Sequence, residues 1–234
     1  LANVYSTMPD QNQDRSASGS GNIGPWTAAS DEADYTLPNF TESVNSGSWD
    51  ATSGQVNYHW QNYYRGIQAA STFMANVSRC TDCNIGGIDL VNRYLNEARA
   101  LRAIYYYHLV QQYGPVVLLG NDPIASDAPL AEISKPRNSM DECIDYIVSE
   151  LDATIPLLPA TPQANEDYGH ITASVAEAYK IKALITVCCK TDHGGIIVLG
   201  DSSFLVEGKA VHLDGMTHYC PKCRVQSRAI ASKQ

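Results

Sequence analysis

One stretch, from residue 94 to residue 119, constrains the fold of this chain more than any other. It reads YLNEARALRAIYYYHLVQQYGPVVLL, and its apolar side chains recur at three- and four-residue steps, which is the periodicity of an amphipathic helix. Gly114 is placed to cap that helix, and Pro115 prevents its continuation. The pattern therefore predicts a helix from about Asp89 to Tyr113, followed by an apolar extended segment.

Three further helices are predicted by the same periodicity. The first carries its apolar stripe from Trp60 to Val77. The next starts at Ser139, whose spacing to Glu142 is that of a capping box, and the last starts near Thr172 or Ser174. The series predicts a mainly α fold of stacked antiparallel helix hairpins. No strict 34-residue repeat is present, so the repeat pattern alone gives weak support for a tetratricopeptide-like array.

The chain opens as though already inside a helix, but the residues from 8 to 49 lack helical periodicity. Residues 8–25 are rich in Ser, Gly, Asn and Gln, and residues 26–49 stay irregular, with Pro38 and Gly47 as breakers. Long ordered loops in compact domains are often functional. We therefore expect residues 26–49 to contribute to a binding surface.

The character of the chain changes after Val187. Short apolar alternations separated by glycine replace the helical stripe, and such alternations are typical of strands and turns. The predicted strands are 196–199, 204–206 and 210–213. We therefore predict two domains, a helical one over residues 1–187 and a small β-rich segment over residues 188–234.

The composition excludes several classes of function. The formal net charge of −9 disfavours a surface that binds nucleic acid. No run of about 18 apolar residues is present, so no segment is predicted to span a bilayer. The aromatic residues are 14 tyrosines, 3 tryptophans and only 3 phenylalanines. Rings with polar atoms suit half-exposed surfaces that stack on sugars, and they equally suit partly buried helix packing.

Five motifs in a fixed order resemble the SusD/RagB family of surface lipoproteins from Bacteroidetes, and the resemblance covers about residues 1 to 185. The motifs are WQNYYRGI (60–67), EARALRA (97–103), QYGPV (112–116), IVSELDA (147–153) and YGHIT (168–172). His170 departs from the family, which commonly has arginine after the glycine. We expect this departure to weaken a local structural contact.

This resemblance implies a scaffold of stacked tetratricopeptide-like helix hairpins with long loops. It also implies a non-enzymatic protein that binds glycans, either oligosaccharides or polysaccharides, and delivers them to a TonB-dependent, SusC-like transporter. Members of the family are outer-membrane lipoproteins that face the cell surface. We therefore expect a lipid anchor before residue 1, in a part of the protein that this sequence lacks.

A glycan site needs flat aromatic faces flanked by amides and carboxylates, because sugars present apolar C–H faces and a ring of hydroxyls. The irregular segment and the start of the next helix supply such groups at Trp26, Asp31, Glu32, Trp49, Asn57 and Tyr58. Trp26 and Trp49 are the best stacking candidates, since Trp60 falls on the apolar stripe of a helix. The alternative is that these loop aromatic residues pin the loop to the scaffold.

Charged side chains of the central helix invite a catalytic interpretation. Glu97, Arg99 and Arg102 lie close together in the sequence, but neither a nucleophile nor a paired carboxylate accompanies them. We therefore predict that they pair with neighbouring helices and that the chain is not an enzyme. A hydrolase is the less favoured alternative.

The tail resembles a PAAR-type repeat, the small β-rich module that sharpens the spike of bacterial type VI secretion systems. The motifs that carry this resemblance are HGG (193–195), a Gly208-Lys209 turn and CPKC (220–223). The alternative function of the chain is therefore that of a secretion-spike tip or a fusion protein, with a spike protein as its partner.

The tail also carries a candidate zinc site. Cys220 and Cys223 have the spacing of a zinc knuckle, and His193 and His218 would complete a tetrahedral set, with His212 as a competing ligand. A module of this size gains stability from such a metal. Reduced or disulfide-linked structural cysteines are the alternative.

The remaining cysteines give no single pattern. Seven is an odd number, which excludes a closed disulfide framework. Cys143 falls on the apolar face of a helix and is expected to be a core residue. Cys80 and Cys83 fit a short-loop disulfide, half of a metal site or two free thiols.

Overall fold

The helical part of the chain is built from six α-helices within the described residues. The computed structural model describes residues 1–9, 29, 40–80, 84–85, 88–125, 127–129, 131, 134–162, 167–188, 196–197, 201–206, 209–211, 217–220 and 225–228. The helices are α1 (Ala2–Tyr5), α2 (Phe40–Ser46), α3 (Gly54–Asn76), α4 (Leu90–Tyr113), α5 (Met140–Thr154) and α6 (Ala173–Cys188).

Local signals explain where the long helices begin and end. Gly114 adopts φ +71° and donates its backbone N–H to Val110 O at 3.0 Å, which ends α4 as predicted. The predicted capping box at the start of α5 is formed, since Ser139 Oγ accepts from Glu142 N and Glu142 Oε2 accepts from Ser139 N. The start of α6 falls between the two predicted positions.

Each long helix packs on the next one in the chain, with α3 on α4, α4 on α5 and α5 on α6. The predicted mainly α fold of stacked helix hairpins is therefore confirmed. Among the described residues, no helix combines the length and apolar character needed to cross a membrane.

The helix α4 lies at the centre of this stack, and its middle, residues 100–107, is buried on all sides. Its Tyr105 and Tyr106 are fully buried. Their hydroxyls are nevertheless hydrogen-bonded, since Tyr105 OH donates to Val4 O and Tyr106 OH accepts from Leu119 N at 3.0 Å. An unsatisfied buried hydroxyl would cost about 1 to 3 kcal/mol. The tyrosine-rich composition thus serves helix packing in this part of the chain.

A glycine allows α1 and α4 to approach α3 closely. A Cβ atom at Gly66 would lie 2.4 Å from Thr7 Oγ1 and 2.7 Å from Tyr105 Cε2. Both distances are shorter than any ordinary contact, so a larger residue would force the helices apart. Gly66 therefore fixes how closely α1 is held against the stack.

The helix α2 differs from the sequence-based expectation, because residues 40–46 were expected to be irregular. Glu42 lies in its first turn, where a negative charge is favourable, and Ser46 Oγ donates to Glu42 O at 3.0 Å. These local interactions support a short helix that has no long apolar stripe.

The described residues between α3 and α4 and beyond α6 form short antiparallel strands. The strands are β1 (Asn84–Ile85), β2 (Ile88–Asp89), β3 (Ile196–Ile197), β4 (Asp201–Val206), β5 (Lys209–Val211), β6 (Thr217–Cys220) and β7 (Val225–Arg228). β1 pairs with β2, β4 with β5, and β6 with both β3 and β7. The β-rich character of the tail and the division into domains at residue 188 stay predictions.

A row of stacked rings joins α3, α4 and α6. His108 stacks on Tyr63 with ring centroids 5.4 Å apart, and its Nε2 lies 3.2 Å from Tyr179 OH. Burial, followed by smaller electrostatic contributions from Lys182 and His59, lowers the pKa of His108 to about 4. His108 is therefore neutral in the folded protein at neutral pH.

We expect acid to destabilise the fold through His108. The pKa of this side chain falls from its ordinary value of 6.5 to about 4 on folding. The stability that depends on its neutral form is complete above pH 6.5 and is lost as the pH falls toward 4. Between pH 7.5 and pH 5, this group should remove about 2 kcal/mol from the free energy of unfolding.

Urea unfolding, followed by circular dichroism at both pH values, measures this loss. The variant His108→Gln cannot titrate, and its loss over the same interval should be smaller by about 2 kcal/mol. Equal losses in the two proteins would contradict the role of His108.

Candidate functional site

Three of the six predicted glycan residues lie at the amino-terminal end of α3. Trp49 precedes the helix and is 48% exposed, while Tyr58 lies in its second turn and is 55% exposed. Asn57 is also exposed, and its Oδ1 accepts a hydrogen bond of 2.9 Å from Gln61 Nε2. Two exposed rings and an amide therefore lie at one end of a single helix.

A polar turn orders the chain between Trp49 and this helix. Asp50 Oδ1 accepts hydrogen bonds from Thr52 N at 2.8 Å and from Thr52 Oγ1 at 2.7 Å. Ser53 Oγ accepts from Asp50 N at 3.0 Å. The hydrogen bonds from Thr52 hold the pKa of Asp50 below its usual value, so this exposed carboxylate is charged at neutral pH.

The other three predicted residues, Trp26, Asp31 and Glu32, lie outside the described residues. Their part in a glycan site stays a prediction.

An open groove of about 860 Å³ runs along α3 between Trp60 and Phe73. Residues of α1 line one side of it, and Leu119 and Ile124 line the other. Sequence reasoning did not predict this groove, because its walls come from three separate parts of the chain.

Side chains of α3 hold one wall of the groove in place. Tyr64 OH donates to Val117 O at 2.9 Å and accepts from Val117 N at 3.1 Å. Gln68 pairs with Ile124 in the same way, with Nε2 donating to Ile124 O at 2.7 Å and Oε1 accepting from Ile124 N at 3.1 Å. These pairs satisfy the main chain of an extended segment, so the groove is formed in advance of any ligand.

Trp60 has a double role that the sequence pattern did not reveal. Its ring packs at 5.0 Å from Tyr64 and at 5.1 Å from Tyr113, and the Arg137 guanidinium lies 5.2 Å from the ring centroid. The same ring lines the groove. The apolar stripe identified its packing correctly but not its second role as part of the groove.

Four polar side chains that line the groove are exposed. They are Asn3, Gln61, Arg65 and Thr72. Arg65 is the one charged side chain among the described residues that line the groove, and within the described part of the chain it forms neither an ion pair nor a hydrogen bond. It is therefore available to a ligand.

The charged side chains of the central helix are structural. Glu150 accepts bidentate hydrogen bonds from Arg99 at 3.0 and 2.7 Å, and a third from Arg102 at 2.9 Å. Arg102, which is 2% exposed, also contacts Ser71 and Asn121. Burial alone would raise the pKa of Glu150, but the hydrogen bonds from the two arginines outweigh burial and lower it.

The carboxylate of Glu97 is likewise engaged in contacts inside the helix stack. It is 0% exposed, and Tyr5 OH donates to it at 2.7 Å while Arg93 Nε lies 2.9 Å away. His170 Nδ1 lies 2.8 Å from the same carboxylate. Arg93 also forms an ion pair with Asp167, with Nη2 2.7 Å from Oδ1. The histidine that departs from the family pattern therefore still makes a close contact with the core. Both buried acids hold helices together, and neither lines the groove along α3.

The predicted zinc ligands are only partly covered by the described residues. His218 and Cys220 lie in β6, two residues apart, while His193, His212 and Cys223 lie outside the described residues. Within the described part of the chain, no group of three or more His, Cys, Asp or Glu side chains is arranged to hold a metal ion. The zinc site stays a prediction.

Two cysteines of the helical part, Cys143 and Cys80, differ in their bonding state. Cys143 is a buried free thiol, as expected of a core residue. Cys80 is disulfide-bonded, which excludes a free thiol at this position. The short-loop pairing with Cys83 stays a prediction, because Cys83 lies outside the described residues.

Comparison with known proteins matches two segments of the chain to two different families. A model of the SusD-like family, described as starch-binding and associating with the outer membrane, matches residues 1–182. The PAAR motif matches residues 189–234. None of the curated proteins matches the chain.

Solved structures with a similar fold include several SusD-like proteins. One from Bacteroides fragilis NCTC 9343 (BF3747) is 21% identical, with a TM-score of 0.57 over 80% of this chain and 34% of its own. A laminarin-binding SusD-like protein is 20% identical, with a TM-score of 0.54 over 63% of this chain and 30% of its own. Surface glycan-binding protein A from Bacteroides fluxus is 16% identical, with a TM-score of 0.51 over 66% and 30%.

These likenesses establish the fold, and each of the three structures is much longer than the present sequence. The chain spans about a third of their length, between 30% and 34%.

Proposed function

Because the chain belongs to the SusD-like family over residues 1–182, we propose that it binds glycans and does not transform them. The observation that carries the proposal is the exposure of two rings near one end of α3, Trp49 just before the helix and Tyr58 in its second turn, together with the exposed Asn57 amide. Rings of this kind stack on the C–H faces of sugars, and amides bind the hydroxyls.

Two similar structures support a carbohydrate ligand. One is named as a laminarin-binding SusD-like protein and another as a surface glycan-binding protein. Their ligands are properties of those proteins, and for this chain they favour the broad class of glycans.

The contacts of the buried carboxylates Glu97 and Glu150 favour a binding role over catalysis. Glycoside hydrolysis needs two carboxyl groups that flank an accessible bond. Glu97 and Glu150 are instead engaged by arginine, tyrosine and histidine side chains inside the helix stack. Neither acid can reach a sugar without breaking the contacts that hold α4.

The proposal extends to where the protein acts. The family description names association with the outer membrane. We place the chain at the cell surface as a lipoprotein that passes its glycan to a TonB-dependent, SusC-like transporter. Its helical domain corresponds to residues 1–187, and the glycan site includes Trp26, Asp31 and Glu32 with the three residues near α3.

A second candidate function follows from the PAAR motif over residues 189–234. In this alternative, the tail from residue 188 is a zinc-stapled β module that docks on a secretion spike. The antiparallel strands β3 to β7 are consistent with such a module.

We expect Trp49→Ala and Tyr58→Ala to weaken glycan binding. Loss of one stacking ring should cost about 1 kcal/mol, which is about fivefold in Kd. Affinity gel electrophoresis across a panel of neutral and acidic polysaccharides measures the effect. The matched control is Tyr168→Ala, since Tyr168 is 76% exposed but precedes α6. Absence of retardation of the parent protein by every polysaccharide would contradict the function.

For the tail, we expect one zinc ion per chain by plasma mass spectrometry of the whole protein. Cys220→Ser should abolish the bound zinc, because a tetrahedral site rarely survives the loss of a thiolate ligand. Cys143→Ala should retain it, since Cys143 lies in the core of the helical part. A metal-free parent protein with reduced tail cysteines would contradict the site.

A further inference from the structure

We propose that the groove along α3 binds an acidic oligosaccharide, one whose carboxylate or sulfate group pairs with Arg65. This inference rests on the proposed glycan-binding function and narrows its ligand class.

The groove continues the predicted glycan surface. With 3.6 residues per turn, Asn57 and Tyr58 lie on the same face of α3 as Gln61, Arg65 and Thr72. The hydrogen bond of 2.9 Å between Gln61 and Asn57 joins the two regions directly. At a rise of 1.5 Å per residue, the face from Tyr58 to Phe73 is about 22 Å long. That length suits an extended oligosaccharide and exceeds the length of a single sugar.

The floor of the groove suits the apolar faces of sugars. Apolar side chains that line it include Val4, Trp60, Phe73 and Ile124. Tyr64 and Gln68 also line it, but their polar atoms are already bonded to Val117 and Ile124. The hydrogen-bonding side chains left for a ligand are therefore the exposed ones, Asn3, Gln61, Arg65 and Thr72.

Arg65 gives the groove its charge preference. No Asp or Glu is among the described residues that line the groove, and within the described chain Arg65 has no ion-pair partner. A guanidinium presents a planar fork of donors that matches a carboxylate or sulfate in two parallel hydrogen bonds. An anionic sugar would pair with this exposed guanidinium, whereas a neutral sugar offers it only hydroxyl groups.

The charge of the whole chain limits how acidic the ligand can be. The formal net charge is −9, so a densely charged polyanion is repelled at long range. One local cation in an acidic protein fits an anionic group at one position of the sugar chain. Binding should therefore depend on salt weakly, with about one ion pair involved.

Matched pairs of ligands test this inference. Three pairs are suitable: oligogalacturonate and its methyl ester, alginate oligosaccharide and its methyl ester, and a carrageenan oligosaccharide before and after desulfation. Isothermal titration calorimetry of the whole chain should give, for at least one pair, an acid that binds about tenfold tighter than its neutral form. The pair that shows the preference distinguishes carboxylate from sulfate recognition.

Two variants test whether the preference for the acidic ligand comes from Arg65. Arg65→Gln should remove the tenfold difference, because it should lower the affinity for the acid to about that for the neutral form. Arg79→Gln, which removes an exposed arginine beyond the end of α3, should leave the difference intact. Equal affinity for the acidic and neutral members of all three pairs would overturn the inference, and so would a preference that survives Arg65→Gln.

Failure of the inference can be told apart from failure of the proposed function. If neutral polysaccharides retard the protein and no acid is preferred, glycan binding stands and the acidic ligand class is wrong. If no glycan of either kind binds, both are wrong.

Discussion

The helical part depends on the hydrogen bonds and the ion pair of the buried Arg102 guanidinium. It is 2% exposed and reaches Glu150 on α5, Ser71 on α3 and Asn121 in the segment after α4. A buried charge is tolerated only when it is paired and hydrogen-bonded, and removal of one partner commonly costs about 3 to 5 kcal/mol. Arg102 therefore makes the positions of three helices and one extended segment interdependent.

This interdependence is what shapes the groove. Asn121 lies between Leu119 and Ile124, the two residues that line the far wall. The same wall is held from α3 by Gln68 and from α4 by Tyr106. Buried and half-buried side chains fix the main chain of this wall, so ligand binding does not have to order it. Pre-organisation of this kind favours affinity. The inner face of α3 thus serves stability, and its outer face is left for binding.

Short-range signals explain what could be predicted from the sequence. The bounds of α4 follow from a continuous apolar stripe and a glycine–proline stop, and the start of α5 follows from a capping box. The structural role of Glu97, Arg99 and Arg102 followed from the lack of a catalytic companion. The groove could not be predicted, because Gln68 and Ile124 are 56 residues apart in the chain. The helix α2 was missed because it is short and carries no stripe.

In the proposed site, α3 presents the ligand-binding face, and Trp60 lines that face, so its fluorescence reports on ligand binding there. The chain has three tryptophans. A Trp26→Phe/Trp49→Phe double variant therefore leaves Trp60 as the sole tryptophan emitter. Titration of this variant with the tightest-binding oligosaccharide should change its emission saturably, with the Kd that calorimetry gives for the same variant. Unchanged emission at saturating ligand, while calorimetry still reports binding, would contradict a site along α3.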